Sequence, residues 1–446
     1  MQIPLIGWIS IVCGFILFFE RPHWLYYLMI FFIPFSGVSV LNIPQYGLSF
    51  LLPMWLGTLW FISVLLKKNK STDWKIKMPP LIFSMLLLFC AVVFVSLWVP
   101  LFINGNLVVW SQDYHFWRPL YFEYSDFIKF ILVLIGSFLC IFIADNITPN
   151  GLIMSLKTYV LGGLTAAIIG IIELVFYCAN AKNPFYFIIT ALSAIPRTRV
   201  ITDGLGGHVI PRVSSVSEEP SFFAVHLLCV FSILIFTMVG GGKIFSKKID
   251  TMFLCICGAA LLLSTSATAY FGLFFICIAL ICCKKKTKII LIGMAIIIEL
   301  CFLATIFFPV IEFFINNYVF GKLISDSGST RILTLWHGWN YFIKFPILGI
   351  GFGVVAVNDL IIKLLSGIGV IGFSIFSFLI WLVLSRLIRC DSVTSLALFI
   401  TVLLFLFVSE FSGFQYKLVD FWFLLGVAVA YPRIYKENFA NEDYSN

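Results

Sequence analysis

Apolar runs of about twenty residues recur from one end of this chain to the other, and this pattern constrains the fold more than any other feature. A run of that length wound as a helix crosses the hydrocarbon core of a bilayer. Inside that core backbone amides and carbonyls find partners only within their own segment, so the runs must be helical. Hydrophobic residues make up 61% of the 446 positions, and 50 of them are Phe. An ordinary soluble domain carries about 45–50%. The chain therefore reads as an all-α polytopic membrane protein with about 12–13 transmembrane helices, a single integral membrane domain over residues 1–446. The first run lacks a basic start and a small-residue cleavage site and reads as a retained helix.

Spans are expected near 3–20, 24–41, 48–66, 79–103, 127–145, 157–178, 221–240, 251–267, 269–283, 289–309, 366–385, 392–409 and 417–431. The net charge is +8, and its placement says more than its sum. Lysines gather at 67–77, 243–250 and 284–288, short patches wedged between spans, which mark cytoplasmic loops rather than a nucleic-acid surface. The loops left outside, 104–126, 179–220 and 310–365, are the long ones. They hold Arg118, Arg197, Arg199, Arg212 and Arg331, against the usual bias, and an anionic ligand on the outer face would supply a reason. The twelve cysteines lie mostly inside apolar runs and read as packing, with no zinc spacing. No internal repeat pairs the two halves as a transporter would.

Two stretches carry candidate chemistry. In Arg212–Leu228, RVSSVSEEPSFFAVHLL, Pro220 suits a first helical turn, and Glu218 and Glu219 sit where the helix dipole favours carboxylates. A charged helix cap explains those three residues and leaves Arg212 over. In 327–353, Ser329 or Thr330 caps a helix expected to begin at Arg331, Trp336, Trp339 and Tyr341 suit a membrane interface, and Pro346 ends it. Gly349, Gly351 and Gly353 permit a tight turn, without the spacing or lysine of a nucleotide loop. An arginine beside a helix start can grip a phosphate bidentately, whereas an arginine resting at headgroup level is the plainer reading. His337 lies about 240° around the helix from Arg331 and does not share its face. His226, inside a span, reads as a packed histidine. Lys129, Glu173 and Glu299 are isolated charges within or near the ends of spans. The loop 110–126 mixes aromatic rings with Asp113, His115, Arg118, Glu123 and Asp126, a composition that suits sugars or an interfacial belt.

Three stretches together resemble the O-antigen polymerase and ligase superfamily: RVSSVSEEPSFFA, STRILTLWHGWNYFIKFPILGIGFG and VNDLIIKLLSGIGVIGF. The first is similar to the arginine–glutamate–proline signature of Wzy-type polymerases. Ligases often carry His-Asn in the third stretch, where this chain has Val357-Asn358. The resemblance implies a metal-independent, GT-C-like glycosyltransferase without cofactors, in the bacterial inner membrane with its site facing the periplasm. It implies transfer of a glycan from undecaprenyl diphosphate to the non-reducing end of a new lipid-linked repeat unit. Partners would be those lipid-linked substrates and membrane lipid, with a chain-length regulator and a flippase, and no nucleic acid. Arg212, Glu219 and Arg331 are the expected catalytic residues, with Arg118, Arg199, His208, Glu218, Ser221, His337 and Asn358 as substrate-binding residues. Glu219 is the expected base, although a helix N-terminus favours its charged form, so orienting the acceptor or Arg212 is the alternative role. The rivals are a ligase of the same superfamily and a lipid-linked glycan flippase.

Overall fold

A computed structural model describes residues 3–43, 48–68, 76–111, 116–179, 181, 200–205, 208–282, 326–354, 357–413 and 418–443. In chain order the helices are α1 (Leu5–Glu20), α2 (Pro22–Phe31), α3 (Leu52–Lys68), α4 (Pro80–Ser96), α5 (Val99–Ile103), α6 (Tyr124–Asn146) and α7 (Pro149–Cys178). They continue as α8 (Pro220–Val239), α9 (Lys247–Leu263), α10 (Ala267–Cys282), α11 (Asp326–Lys344), α12 (Leu360–Ile388), α13 (Val393–Ser412) and α14 (Val419–Asp443). Three antiparallel hairpins interrupt the series: β1 (Ser39–Ile43) with β2 (Leu48–Leu51), β3 (Val108–Ser111) with β4 (Phe116–Pro119), and β5 (Val200–Leu205) with β6 (His208–Val213). Among the described residues six helical segments are long and apolar enough to cross a membrane: α4 with α5, α6, α7, α8, α12 and α13. The architecture is that of a helical polytopic membrane protein.

Helix α1 is inside out relative to a helix of a soluble bundle. On α1 the buried residues are Gly7, Ser10 and Gly14, while Trp8, Val12, Phe15, Ile16 and Phe19 are exposed. Lipid is as apolar as leucine, so burying large side chains gains little there, and small residues that let helices approach closely take the interface. Gly136 of α6 shows the same logic, because a Cβ there would stand 2.1 Å from the indole nitrogen of the buried Trp422 on α14. Helix α8 is buried on all sides between α7, α9, α10 and α13, and so reads as apolar all round.

Two expectations are corrected. The span at 24–41 is a ten-residue helix, α2, followed by strand β1. Pro34 and Gly37 break the helix, and the β-branched Val38 and Val40 then favour an extended chain. The all-α expectation likewise missed three hairpins, two of them in loops that looked irregular in sequence. The segments 251–267 and 269–283 are two helices, separated at Ser264–Ser266, where Thr265 adopts a left-handed φ of 44°. The span at 289–309 lies outside the described residues, as do half of loop 179–220 and the first part of loop 310–365.

The bundle has two chemically distinct ends. At one, the Asp145 carboxylate pairs with Lys68, and Arg433 donates to the carbonyls of Asp145 and Ile147. Thr148, Ser246 and Ser392 cap α7, α9 and α13 at that same end by accepting from the amides of Gly151, Ile249 and Ser395. At the other end Lys129 of α6 donates to the carbonyl of Gly353 at 2.7 Å and reaches Asp126 at 3.2 Å. Lys129 is therefore a tether for the glycine-rich loop rather than an isolated charge.

That loop has a further task. Helix α12 is broken at Gly369, whose φ of 66° and ψ of −172° cannot continue an α-helix. The carbonyls freed at Ser366 and Gly367 accept from the amides of Ile350 and Gly351 at 2.8 and 3.2 Å. In return Val370 donates to the carbonyl of Pro346 at 2.8 Å. Irregular backbone is tolerated at such depth because neighbouring protein replaces the lost partners.

Candidate functional site

Helix α8 starts at Pro220, and Glu219 is its N-cap residue in an extended conformation. Proline fits there because the first amides of a helix have no intrahelical acceptor. Glu219 does not cap its own helix with its side chain. It is exposed, and its Oε2 instead accepts from the Ser221 hydroxyl at 3.2 Å. Ser221 itself is buried, so its visible role is to orient that carboxylate.

Upstream, Arg212 lies in β6 opposite Ile201, and the chain then turns into Val213–Ser217. This polar-looking VSSVS segment is buried throughout. Ser215 adopts a positive φ of 51° and donates to the carbonyl of Ala166 on α7 at 2.7 Å. Ser217 donates to the carbonyl of Pro34, and Gly37 donates to that of Val216, both at 2.9 Å. The segment joining Arg212 to Glu219 is thus fastened on two sides.

Helix α11 brings the third residue. It begins at Asp326, five residues before Arg331, so Ser329 and Thr330 lie within its first turns and do not precede it as caps. The Arg331 guanidinium is partly buried and donates through Nη1 to the carbonyl of Phe411 at the end of α13, 2.6 Å away. It also lies within electrostatic reach of both Glu219 and Arg212. Burial pushes Arg331 below the usual arginine value, Glu219 pulls it back up, and Arg212 pushes it further down. An arginine keeps its proton under such pressure, so the result is a partly desolvated cation beside a second cation and one carboxylate. Arg212 in turn acts electrostatically on the Tyr270 phenol near the start of α10. Two arginines within reach of one another can grip an anionic group between them.

The other candidate residues fall into different places. Asn358 lies against the end of α13, with its Oδ1 3.4 Å from where a Cβ on Gly413 would lie. Glu218 is half-buried next to Glu219. Arg118 pairs with Glu123 on the β3–β4 side. His208 is at the hairpin tip opposite Leu205, four residues from Arg212, and its side chain is not described. Arg199 lies outside the described residues. His337 packs edge-on against Trp117, with ring centroids 4.5 Å apart, and Trp117 meets Trp110 at 5.5 Å. Burial holds the His337 imidazole below its ordinary value. This aromatic cluster sits on a separate apolar seat of Ile103, Val109, Leu120, Tyr341, Ile350 and Val357.

Sequence reasoning missed Glu410 and Asp359. Asp359 caps α12 by accepting from the Ile362 amide at 2.8 Å, and Glu410, adjacent to Phe411, accepts from the Ile361 amide at 3.3 Å. The two carboxyl groups lie within electrostatic reach of each other. The available signal was a glutamate at the very end of an apolar run, next to the residue whose carbonyl holds Arg331.

The chain matches no protein-family model, and no curated protein matches it.

Proposed function

We propose that the protein is a Wzy-type O-antigen polymerase of the bacterial inner membrane. On this reading it is a GT-C-like glycosyltransferase with 12–13 spans, its lysine-bearing loops in the cytoplasm and the Arg212–Arg331 end in the periplasm. The observation that carries the reading is that Arg331, at the start of α11, comes within electrostatic reach of Arg212 in β6 and Glu219 at the start of α8, more than a hundred residues earlier in sequence. These are the residues that the resemblance nominated.

The proposed chemistry is a displacement at the anomeric carbon of a glycan held on undecaprenyl diphosphate. The non-reducing hydroxyl of a new lipid-linked repeat attacks that carbon. The bond from the carbon to the diphosphate oxygen breaks, and its electron pair leaves with the lipid diphosphate. Arg212 and Arg331 are placed to hold the diphosphate and stabilise the charge that builds on it. Glu219, exposed and oriented by Ser221, takes the hydroxyl proton. The Trp110–Trp117–His337 cluster offers aromatic faces for sugar rings. Val357, where ligases often carry histidine, packs into an apolar seat, which favours polymerase over ligase.

Deleting the gene and separating the surface lipopolysaccharide on a gel tests the reading. A single repeat on the core is the expected result. Long chains left on the carrier lipid would instead mean a ligase, and repeats trapped on the cytoplasmic side would mean a flippase.

A further inference from the structure

Behind the site, four segments that are distant in sequence bring polar groups to one point inside the bundle. The Tyr159 hydroxyl of α7 donates to Asp420 Oδ1 in the first turn of α14, at 2.9 Å. Asp420 Oδ2 lies 2.8 Å from His226 Nδ1 of α8, a close contact between charge-bearing groups that falls outside hydrogen-bond angles. His226 Nε2 lies 3.2 Å from the hydroxyl of Ser36, in the turn that follows α2. All four residues are buried, with Ser36 only 1% exposed and His226 and Asp420 wholly enclosed. Burying a carboxylate and an imidazole is costly, and such groups within a membrane bundle call for a reason.

The order Ser36–His226–Asp420 matches that of a hydrolytic triad. A nucleophile must meet its substrate, however, and Ser36 is sealed. What Ser36 does touch is informative. Its chain neighbours Pro34 and Gly37 are the residues that bond Ser217 and Val216, and a Cβ on Gly37 would stand 2.8 Å from the Val216 carbonyl. The bonded segment runs directly from Arg212 to Glu219.

We infer that His226 and Asp420 are positioning residues of the candidate site. Tyr159 and Asp420 fix the imidazole, the imidazole fixes the Ser36 turn, and the turn fixes the backbone between Arg212 and Glu219. The inference rests on the proposed function only in taking that segment as the site.

The test uses the full chain in detergent, with amide hydrogen exchange as one readout and glycan polymerisation from lipid-diphosphate repeats as the other. Ser36→Ala removes one hydroxyl. It is expected to speed exchange in 33–38 and 212–219 by roughly fivefold, the equivalent of one hydrogen bond, while the Asp145 end stays unchanged. It is also expected to lower kcat by about 100-fold with KM little altered, as misplacement of catalytic groups by an ångström does. His226→Gln presents an amide nitrogen at the reach of Nε2 and should rescue the Ser36 contact, whereas His226→Asn, which keeps only the Asp420 side, should not. Wild-type exchange in 212–219 for both Ser36→Ala and His226→Asn would overturn the inference. If His226→Asn does not fold, Ser36→Ala alone decides. A wild-type protein that makes no polymer, combined with the expected exchange changes, would sink the polymerase reading and leave the positioning chain standing.

Discussion

Arg331 Nη1 donates to the Phe411 carbonyl at 2.6 Å, joining the start of α11 to the end of α13 across 80 residues. One arm of the guanidinium therefore serves as an anchor, while Glu219 acts on the same cation electrostatically. A lysine in that place keeps the charge but has no planar fork with which to do both. Arg331→Lys is expected to insert and fold, and to lose polymerisation by roughly 100-fold, the scale of one removed transition-state donor. Product length from purified lipid-linked repeats checks this. Wild-type product would show that charge alone suffices.

The opposite end of the bundle should behave differently. The buried Asp145 carboxylate pairs with Lys68, beside the Arg433 bonds to the Asp145 and Ile147 carbonyls. Asp145→Ala should cost about 1.5–3 kcal/mol of stability, the range for a hydrogen bond to a charged group. Turnover per folded molecule should remain normal. Thermal unfolding in detergent together with an activity assay separates the two effects.

Gly369 and Gly367 form an internal control. At Gly369 a Cβ would stand 2.1 Å from the Ile347 carbonyl on a backbone with φ of 66°, whereas at Gly367 it would meet its nearest atom at 3.6 Å. Gly369→Ala should destabilise the protein by about 1–3 kcal/mol from backbone strain alone, with the clash in addition. Gly367→Ala should be tolerated. Equal melting temperatures for the two variants would show that the break in α12 is not constrained in this way.

His337 gives a pH prediction. Burial lowers its folded-state value below the ordinary 6.5. The unfolded chain therefore binds more protons than the folded one just below that pH, and stability rises with pH across the window. Acidification from 6.5 toward the lower folded value is expected to erode stability, and His337→Asn should flatten that slope. Melting temperature measured against pH for both proteins provides the check.

Much of this protein was legible in the sequence because the bilayer imposes a one-dimensional rule. Each crossing needs a run of apolar residues, and α6, α7, α8, α12 and α13 lie where such runs stand. Local chemistry was legible too: Pro220 begins α8, α11 stops at Lys344 before Pro346, and the glycines at 349, 351 and 353 all take positive φ. The β3–β4 hairpin was not legible, because its four-residue strands set among aromatics carry no clear period, whereas the runs VITDGL and HVIPRV joined by Gly206-Gly207 held a hairpin signal that went unread. Nor were the partners of the charges legible. Lys129 looked isolated and in fact holds Gly353, and His226 looked like packing and in fact meets Asp420.

The sequence by itself determined that the chain is a bundle of membrane helices and where its unusual arginines fall. Only the tertiary structure decided which arginine meets which carboxylate, because helix order says nothing of helix neighbours. Packing brings α11 onto the end of α13, fastens the Ser36 turn to the segment after Arg212, and mends the broken turn of α12 with a glycine loop. Each of these contacts joins residues whose spacing along the chain follows no period, since it is set by which helix faces have small residues and where buried polar groups can find a partner.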